Sequence, residues 1–186
     1  MPRLFTGVEI PPDVALNLSL IRGGLHGARW IDPENYHVTL RFIGDVEVPV
    51  AREIVPALAQ VDRAPFTLRI TGLSSFGGRK PRALIATVEP DAPLMELQAE
   101  HERLMRRLGL AAEGRKFTPH VTLARLRDTS SLAVAAWLSQ RGYFAPLTVP
   151  VSRAVLYSSR ASTGGGPYVV EQAYPLRGEG PRAQGV

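Results

Sequence analysis

A four-residue sequence, His-Val-Thr-Leu, occurs twice in this chain of 186 residues. The first copy is His37–Leu40 and the second, 83 residues later, is His120–Leu123. The chain has only 4 histidines, so two of them in identical tetrapeptides indicate a structural repeat rather than a coincidence. Because side chains alternate between the two faces of a β-strand, the histidine and the threonine of each copy share one face, and the valine and leucine share the other.

The pattern of apolar residues around the repeat predicts an α+β protein. Strands and helices alternate in uneven groups, with several strands following one another directly, which favours antiparallel sheet over a doubly wound parallel sheet. No change of composition marks a linker, so we expect residues 1–177 to form a single domain built of two similar lobes. Residues 178–186, rich in Gly and Arg, are expected to be a flexible tail.

The composition excludes several kinds of site. The chain has no cysteine, which excludes disulfides, thiolate nucleophiles and cysteine-based zinc or iron–sulfur sites. Its longest uncharged stretch, Thr129–Gln140, has 12 residues and is too short to span a bilayer. We therefore expect a cytoplasmic protein without a membrane partner.

The charge suggests a polyanionic partner. The formal net charge is +5, and 20 of the 22 basic residues are arginine. Arginine binds phosphate through two parallel hydrogen bonds, so nucleic acid is the natural candidate. The alternative is that the arginine bias reflects genome composition alone.

The repeat also predicts a chemistry. If a pseudo-twofold axis relates two lobes, both polar strand faces meet in one groove, where two histidines and two threonines converge. One neutral imidazole can then accept a proton from an attacking oxygen while one imidazolium protonates the departing oxygen, which fits phosphodiester cleavage. Threonine hydroxyls and arginines can hold the phosphoryl oxygens, and no metal is needed. The alternatives are structural histidines and a zinc site, for which His26 and His101 lack ligand spacing.

Both motifs, together with several flanking segments, resemble a known family, the two-histidine (2H) phosphoesterases. Within it the chain is most similar to the bacterial and archaeal RNA 2′,3′-cyclic phosphodiesterases, also called 2′-5′ RNA ligases. The likeness is spread over residues 3–176 in the expected order. Besides the two tetrapeptides, it is carried by Arg3-Leu4-Phe5, Asn35-Tyr36, Phe42-Ile43-Gly44-Asp45-Val46 and Phe117-Thr118-Pro119.

The resemblance implies a fold, an activity and a set of site residues. The fold is two lobes, each an antiparallel sheet with helices on its outer side, around a central cleft. The activity is hydrolysis of an RNA 2′,3′-cyclic phosphate end to a 2′-phosphate without ATP, metal or other cofactor, with reversible 2′-5′ joining of RNA ends as a second reported activity. The implied acid–base pair is His37 and His120, and the implied phosphate ligands are Thr39, Thr122 and Arg125. The expected partner is such an RNA end, tRNA halves among the candidates, and the expected state is a monomer.

Alternation of side chains along a strand places Arg41 and Arg125 on different faces of the predicted sheet. Arg125 lies five residues after His120, so it reaches the groove only if the strand bulges or ends near Ala124. Arg41 has even spacing from His37, and simple alternation places it in the groove. Further possible RNA contacts lie in two basic loops and are Phe76, Arg79, Lys80, Arg115 and Lys116.

Two alternatives to this function stay open. One is a 2H phosphodiesterase acting on a small cyclic nucleotide, and the other is a module that binds RNA ends without chemistry. The roles of the two histidines are also open, although we expect His120 to activate water, since Arg125 lies near it, and His37 to protonate the 3′-oxygen.

Overall fold

The computed structural model describes residues 3–159 and 166–178. It contains nine strands: β1 (Arg3–Glu9), β2 (Ala28–Trp30), β3 (His37–Asp45), β4 (Phe66–Phe76), β5 (Ala83–Val88), β6 (His120–Leu126), β7 (Leu147–Val151), β8 (Arg153–Ser159) and β9 (Tyr168–Pro175). The four α-helices are α1 (Pro12–Ser19), α2 (Val48–Leu58), α3 (Ala92–Arg107) and α4 (Ser131–Arg141). Residues 179–186 of the expected tail lie outside the described residues.

The helices begin where the sequence supplies suitable first-turn residues. Proline occupies the first turn of α1, α2 and α3, where its missing N–H leaves no helical hydrogen bond unmade. The fourth helix is capped by the preceding residue, Ser130, whose hydroxyl accepts a hydrogen bond from the Ala133 N–H.

The strands form a sheet in the order β7-β4-β5-β6-β3-β1-β8-β9, and every neighbouring pair is antiparallel. Strand β2 pairs with the far end of β6. The order divides into two halves of four strands, which meet where β3 and β6 pair through Val38 and Val121. The predicted α+β class with two antiparallel halves is confirmed.

The helices cover the sheet on one face. Helices α2 and α3 pack against the half that contains β1, through a buried cluster that includes Ile54, Met105, Leu4 and Leu156. Helix α4 packs against the other half, where Trp137 contacts Leu84 and Ala124 in a second cluster. Burial of these apolar side chains holds the helices on that face and leaves the polar face of the two central strands open.

None of the helices in the described ranges is long and apolar enough to cross a membrane.

Candidate active site

The two His-Val-Thr-Leu motifs lie on the two central strands and face the same cleft. His37 and Thr39 of β3 line it together with His120 and Thr122 of β6, and its cavity volume is about 320 Å³. The intervening Val38 and Val121 are fully buried on the opposite face. The prediction that both motifs face one groove is therefore confirmed.

Each motif strand carries a β-bulge directly after its threonine. In β3, Thr39 lies opposite Gly7 and Arg41 opposite Thr6, so Leu40 is an extra residue. In β6, Leu123 is the extra residue at the same point of the repeat. A bulge shifts the alternation of faces by one residue until the next bulge, which in β3 comes at Ile43.

The bulge in β6 turns Arg125 into the cleft, where its side chain lines the cavity. Arg125 could reach the groove only if the strand bulged or ended near Ala124, and the bulge is present at Leu123, between Thr122 and Ala124. Arg125 is thus placed beside both motifs, within reach of a phosphate bound between them.

The bulge in β3 turns Arg41 away from the cleft, so the expectation that Arg41 faces the groove is wrong. The residue is only 5% exposed, and its guanidinium forms an ion pair with Glu102 of α3. It also donates hydrogen bonds to the carbonyls of Phe42 and Ala111. Arg41 therefore joins helix α3, strand β3 and the loop before β6 beneath the sheet, and it is not available to RNA.

His37 is held with one nitrogen fixed and the other turned towards the cleft. Its Nδ1–H donates to the Asn35 carbonyl at 2.8 Å, because a carbonyl oxygen can only accept. In the neutral ring Nε2 is then an acceptor, and the Thr39 hydroxyl donates to it at 2.9 Å. The backbone thus selects the tautomer in which Nε2 can take a proton.

His120 is held in the same way. Its Nδ1–H donates to the Thr118 carbonyl at 2.7 Å, again two residues before the histidine. The repeat therefore preserves the backbone anchor as well as the residue types. Both imidazoles expose Nε2 to one cavity, as an acid–base pair requires.

The surroundings of the two imidazoles differ. Three aromatic rings surround His37, with centroid distances of 5.1 Å to Phe5, 5.4 Å to Tyr157 and 5.1 Å to Tyr168. His120 meets the edge of one ring, Phe76, at 4.7 Å. The His37 half of the cleft is thus predominantly aromatic.

Burial lowers the pKa of both catalytic candidates. The pKa of His37 falls to about 4, first because burial disfavours the charged form and then because His120 and Arg125 add positive charge. Burial also lowers the pKa of His120, and Arg125 and Arg82 act in the same direction. Both rings are consequently neutral near pH 7 in the free protein.

Positive charge surrounds the cavity. Arg125, Arg82, Arg115 and Arg3 line it, and no aspartate or glutamate is among the described residues that do so. Phe76 lines it as well, with the Arg82 guanidinium 5.9 Å from its ring centroid. Such a cavity favours an anion.

Of the other residues that the sequence predicted as RNA contacts, some line the cavity and some are exposed to solvent outside it. Arg115 lines the cavity, whereas the neighbouring Lys116 is exposed and does not. Arg79 and Lys80 are exposed in the loop beyond Phe76 and also stay outside the cavity lining.

Sequence reasoning missed several cavity residues, and one of them had a detectable signal. Phe42 lines the cavity and is 47% exposed. Aligning the two repeats places Phe42 at the position of Arg125, and Arg41 at that of the buried Ala124. Strand alternation within each copy alone does not reveal this correspondence, which appears only when the two copies are aligned. The other missed lining residues, Arg3, Phe5, Ile31, Asn35, Arg82, Ala83, Ser159 and Tyr168, come from elsewhere in the sequence and are brought to the cleft by the fold.

Within residues 3–159 and 166–178, no three His, Cys, Asp or Glu side chains form a group that could hold a metal ion.

Comparison with known proteins identifies the family. The model of the LigT-like phosphoesterases matches twice, over residues 8–86 and 85–168, once for each copy of the motif. The chain belongs to this family. Each match contains one of the His-Val-Thr-Leu copies, and the two copies lie on the strands where the two halves of the sheet meet.

Two relatives and one solved structure illustrate the similarity. A protein of Thermotoga maritima is 30% identical over 178 residues, which cover 90% of this chain and 92% of the relative. A protein of Aeropyrum pernix is 38% identical over 104 residues, which cover 55% of this chain but only 59% of the relative. Both are named RNA 2′,3′-cyclic phosphodiesterase. The structure of TT0787 from Thermus thermophilus has the same fold, with a TM-score of 0.79 at 24% identity over 96% of this chain and all of that one.

Proposed function

We propose that this protein is an RNA 2′,3′-cyclic phosphodiesterase that hydrolyses a terminal cyclic phosphate to a 2′-phosphate by paired histidine catalysis. The observation that carries the proposal is the pair of imidazoles, each with Nδ1 anchored to a backbone carbonyl, facing one arginine-lined cavity. The names of the relatives supply the substrate class.

The first step is binding of the cyclic phosphate monoanion between the two motifs. Arg125 offers a guanidinium fork to the non-bridging oxygens, and the Thr122 hydroxyl donates to the same group. The Thr39 hydroxyl turns from His37 Nε2 to the phosphate, which also frees Nε2 for proton transfer. The bound anion offsets the positive charge of Arg125, so it raises the pKa of both imidazoles and populates the imidazolium that serves as the acid.

In the chemical step one neutral Nε2 removes a proton from water as the water oxygen attacks phosphorus. The bond from phosphorus to the 3′-oxygen breaks, and the other imidazolium gives that oxygen its proton, which leaves a 3′-hydroxyl and a 2′-phosphate. The carbonyls of Asn35 and Thr118 keep Nδ1 protonated on both rings throughout. Arginine charge stabilises the developing phosphorane, so these residues need neither a metal nor ATP.

The same residues support 2′-5′ joining when an RNA 5′-hydroxyl takes the place of water. Attack of that hydroxyl on the cyclic phosphate gives a 2′-5′ phosphodiester and the same 3′-hydroxyl. We therefore propose ligation as a second reaction of this site. The expected cytoplasmic location and monomeric state stay predictions.

The test is incubation with an oligoribonucleotide that ends in a 2′,3′-cyclic phosphate, in the presence of EDTA, followed by mapping of the product. A 2′-phosphate is expected. His37→Ala and His120→Ala should each lower turnover by about 10²- to 10⁴-fold, the usual contribution of a general acid or base. The matched control is His26→Ala, because His26 is exposed and does not line the cavity.

Each remaining outcome points to an alternative. Near-normal turnover in either active-site variant contradicts the paired mechanism. Binding of the RNA end without product indicates a module without chemistry. Turnover of a cyclic mononucleotide that equals that of the RNA end at all salt concentrations favours a small-nucleotide enzyme, since RNA binding releases counterions and depends on salt.

A further inference from the structure

A row of arginines continues from the cavity across the half of the sheet that contains β6. Pairing of β2 with β6 places Arg29 directly opposite Arg125. On the other side of β6, Arg125 lies opposite Ala83, next to Arg82. Arg127 follows at the end of β6, where its N–H donates to the Gly27 carbonyl at 3.0 Å.

None of the four arginines of this row has an anionic partner among the described residues. Like charges directly opposite one another on neighbouring strands destabilise a sheet. Elsewhere in the described ranges Arg41, Arg63 and Arg153 are bound to glutamates. Across residues 3–159 and 166–178, no carboxylate lies within ion-pair distance of Arg29 or Arg125. The same holds for Arg82 and Arg127, so this row lacks a neutralising group.

The row extends beyond the cavity that contains the two motifs. Arg125 and Arg82 line the cavity, whereas Arg29 and Arg127 do not. Neighbouring strands are about 4.8 Å apart, so Arg29 is one strand spacing farther out than Arg125. A ligand confined to the cavity contacts the inner arginines, and only a longer anion reaches the outer two.

The opposite half of the cleft does not continue the row. There Phe42 takes the place that Arg125 has in the other copy, and Tyr168 and Phe5 form the wall. The pseudo-symmetric site is therefore polarised: aromatic rings dominate the β1 side, where the one lining arginine, Arg3, is paired with Asp45 at 3.8 Å, and arginines without a carboxylate partner lie on the β2 side. A polyanion bound at the cyclic phosphate is drawn towards β2.

We propose that Arg29 and Arg127 extend the active site into a binding track for the backbone phosphates of the RNA chain that leads to the cyclic phosphate. This inference rests on the proposed function, and it assigns the track to the exposed surface of β2 and the end of β6. The two arginines add affinity for a chain and take no part in bond breaking.

The test compares two substrates in Arg29→Ala and Arg127→Ala: 2′,3′-cyclic AMP and a short oligoribonucleotide with the same cyclic end. For the oligonucleotide, each variant should raise KM about tenfold with little change in kcat, as expected when a charge-assisted phosphate contact is lost. The slope of log KM against log salt should fall by about 0.7 for each phosphate contact removed. The kinetic constants for cyclic AMP should stay at wild-type values. Arg52→Ala, an exposed arginine on α2, is the charge-matched control and should change neither substrate.

The outcomes separate the track from the proposed function. If the wild-type protein hydrolyses neither substrate, the proposed function fails. If it hydrolyses both, and Arg29→Ala and Arg127→Ala behave like Arg52→Ala on the oligonucleotide, the track is wrong. Equal losses on both substrates also overturn the track, because the arginines would then act on the cyclic phosphate itself. Arg29→Glu provides a second readout and should weaken oligonucleotide binding more than Arg29→Ala. Melting temperatures recorded for every variant establish that each one is folded.

Discussion

At the scale of single residues, His37 and His120 share a backbone anchor but must perform opposite proton transfers. A 3′-thiolate leaving group departs without protonation, so a substrate with sulfur in place of the 3′-oxygen removes the need for the acid alone. With His37 as acid, His37→Ala should regain most of its activity on this substrate, and His120→Ala should not. Single-turnover rates on the oxygen and sulfur substrates provide the measurement. If His120→Ala regains activity and His37→Ala does not, the acid and base roles are exchanged. Rescue of both variants, or of neither, contradicts the assignment of one acid and one base.

The lowered pKa values of both rings determine the pH dependence. The profile of kcat/KM reports pKa values of the free enzyme, and both imidazoles lie below their usual 6.5 there, His37 at about 4. The optimum of kcat/KM should therefore lie below pH 6.5. Activity falls above it because the acid loses its proton, and below it because the base gains one. The optimum of kcat should lie at higher pH, since the bound phosphate raises both pKa values. A kcat/KM optimum at pH 7 or above would contradict these assignments.

At the scale of secondary-structure elements, the paired bulges explain where reading the sequence succeeds and where it fails. Alternation correctly placed His37 and Thr39 in the groove because both precede the bulge at Leu40. The same rule failed at Arg41, which follows it. A bulge of one residue leaves little trace in a pattern of apolar residues, since Leu40 and Leu123 are apolar and buried, as Val38 and Val121 are. Only the requirement that Arg125 reach the phosphate pointed to the bulge.

The buried ion pair of Arg41 and Glu102 connects α3 to the loop before β6. Glu102 also accepts a hydrogen bond from the Glu113 N–H at 3.0 Å, two residues before the cavity-lining Arg115. Glu102→Gln leaves the Arg41 guanidinium buried without a counter-ion and should lower the free energy of unfolding by about 3 kcal/mol. It should also raise KM for the cyclic-phosphate RNA, because the loop with Arg115 loses an anchor.

Urea denaturation measures that stability change, and Glu96→Gln is its control. Glu96 pairs with Arg63 at 3.2 Å on the surface, with the glutamate side chain 62% exposed, so its loss should cost less than about 1 kcal/mol. Equal effects of the two substitutions would show that Arg41 and Glu102 are not coupled as the structure indicates.

At the scale of the whole molecule, the repeat predicted the symmetry of the fold but not its asymmetry. Two identical tetrapeptides were enough to predict two halves and a shared groove. Polarisation of that groove depends on residues with no counterpart in the repeat, such as Tyr168 from β9 and Arg29 from β2. These residues come to lie beside the groove because of the order of the strands in the sheet, and the local pattern of apolar residues does not encode that order.

The stability of the whole molecule should depend on pH through His101, which lies outside the cleft. His101 on α3 is 2% exposed, its Nδ1 lies 2.8 Å from the Thr6 hydroxyl of β1, and burial lowers its pKa to about 4. The unfolded chain binds this proton near pH 6.5, so His101 contributes stability that is present above pH 6.5 and is lost as the pH falls towards 4. The loss attributable to this residue should be on the order of 3 kcal/mol by pH 4.

The double variant Thr6→Val/His101→Leu isolates this contribution, because it replaces both hydrogen-bonding partners with apolar groups and leaves neither one unsatisfied. In urea denaturation, the difference in free energy of unfolding between the wild type and the variant should be the same at pH 7 and pH 8. Between pH 6.5 and pH 4 the wild type should lose stability more steeply than the variant, by roughly 1.4 kcal/mol per pH unit. Parallel pH profiles would mean that His101 is protonated as readily in the folded protein as in the unfolded chain, and that α3 does not exclude water from it.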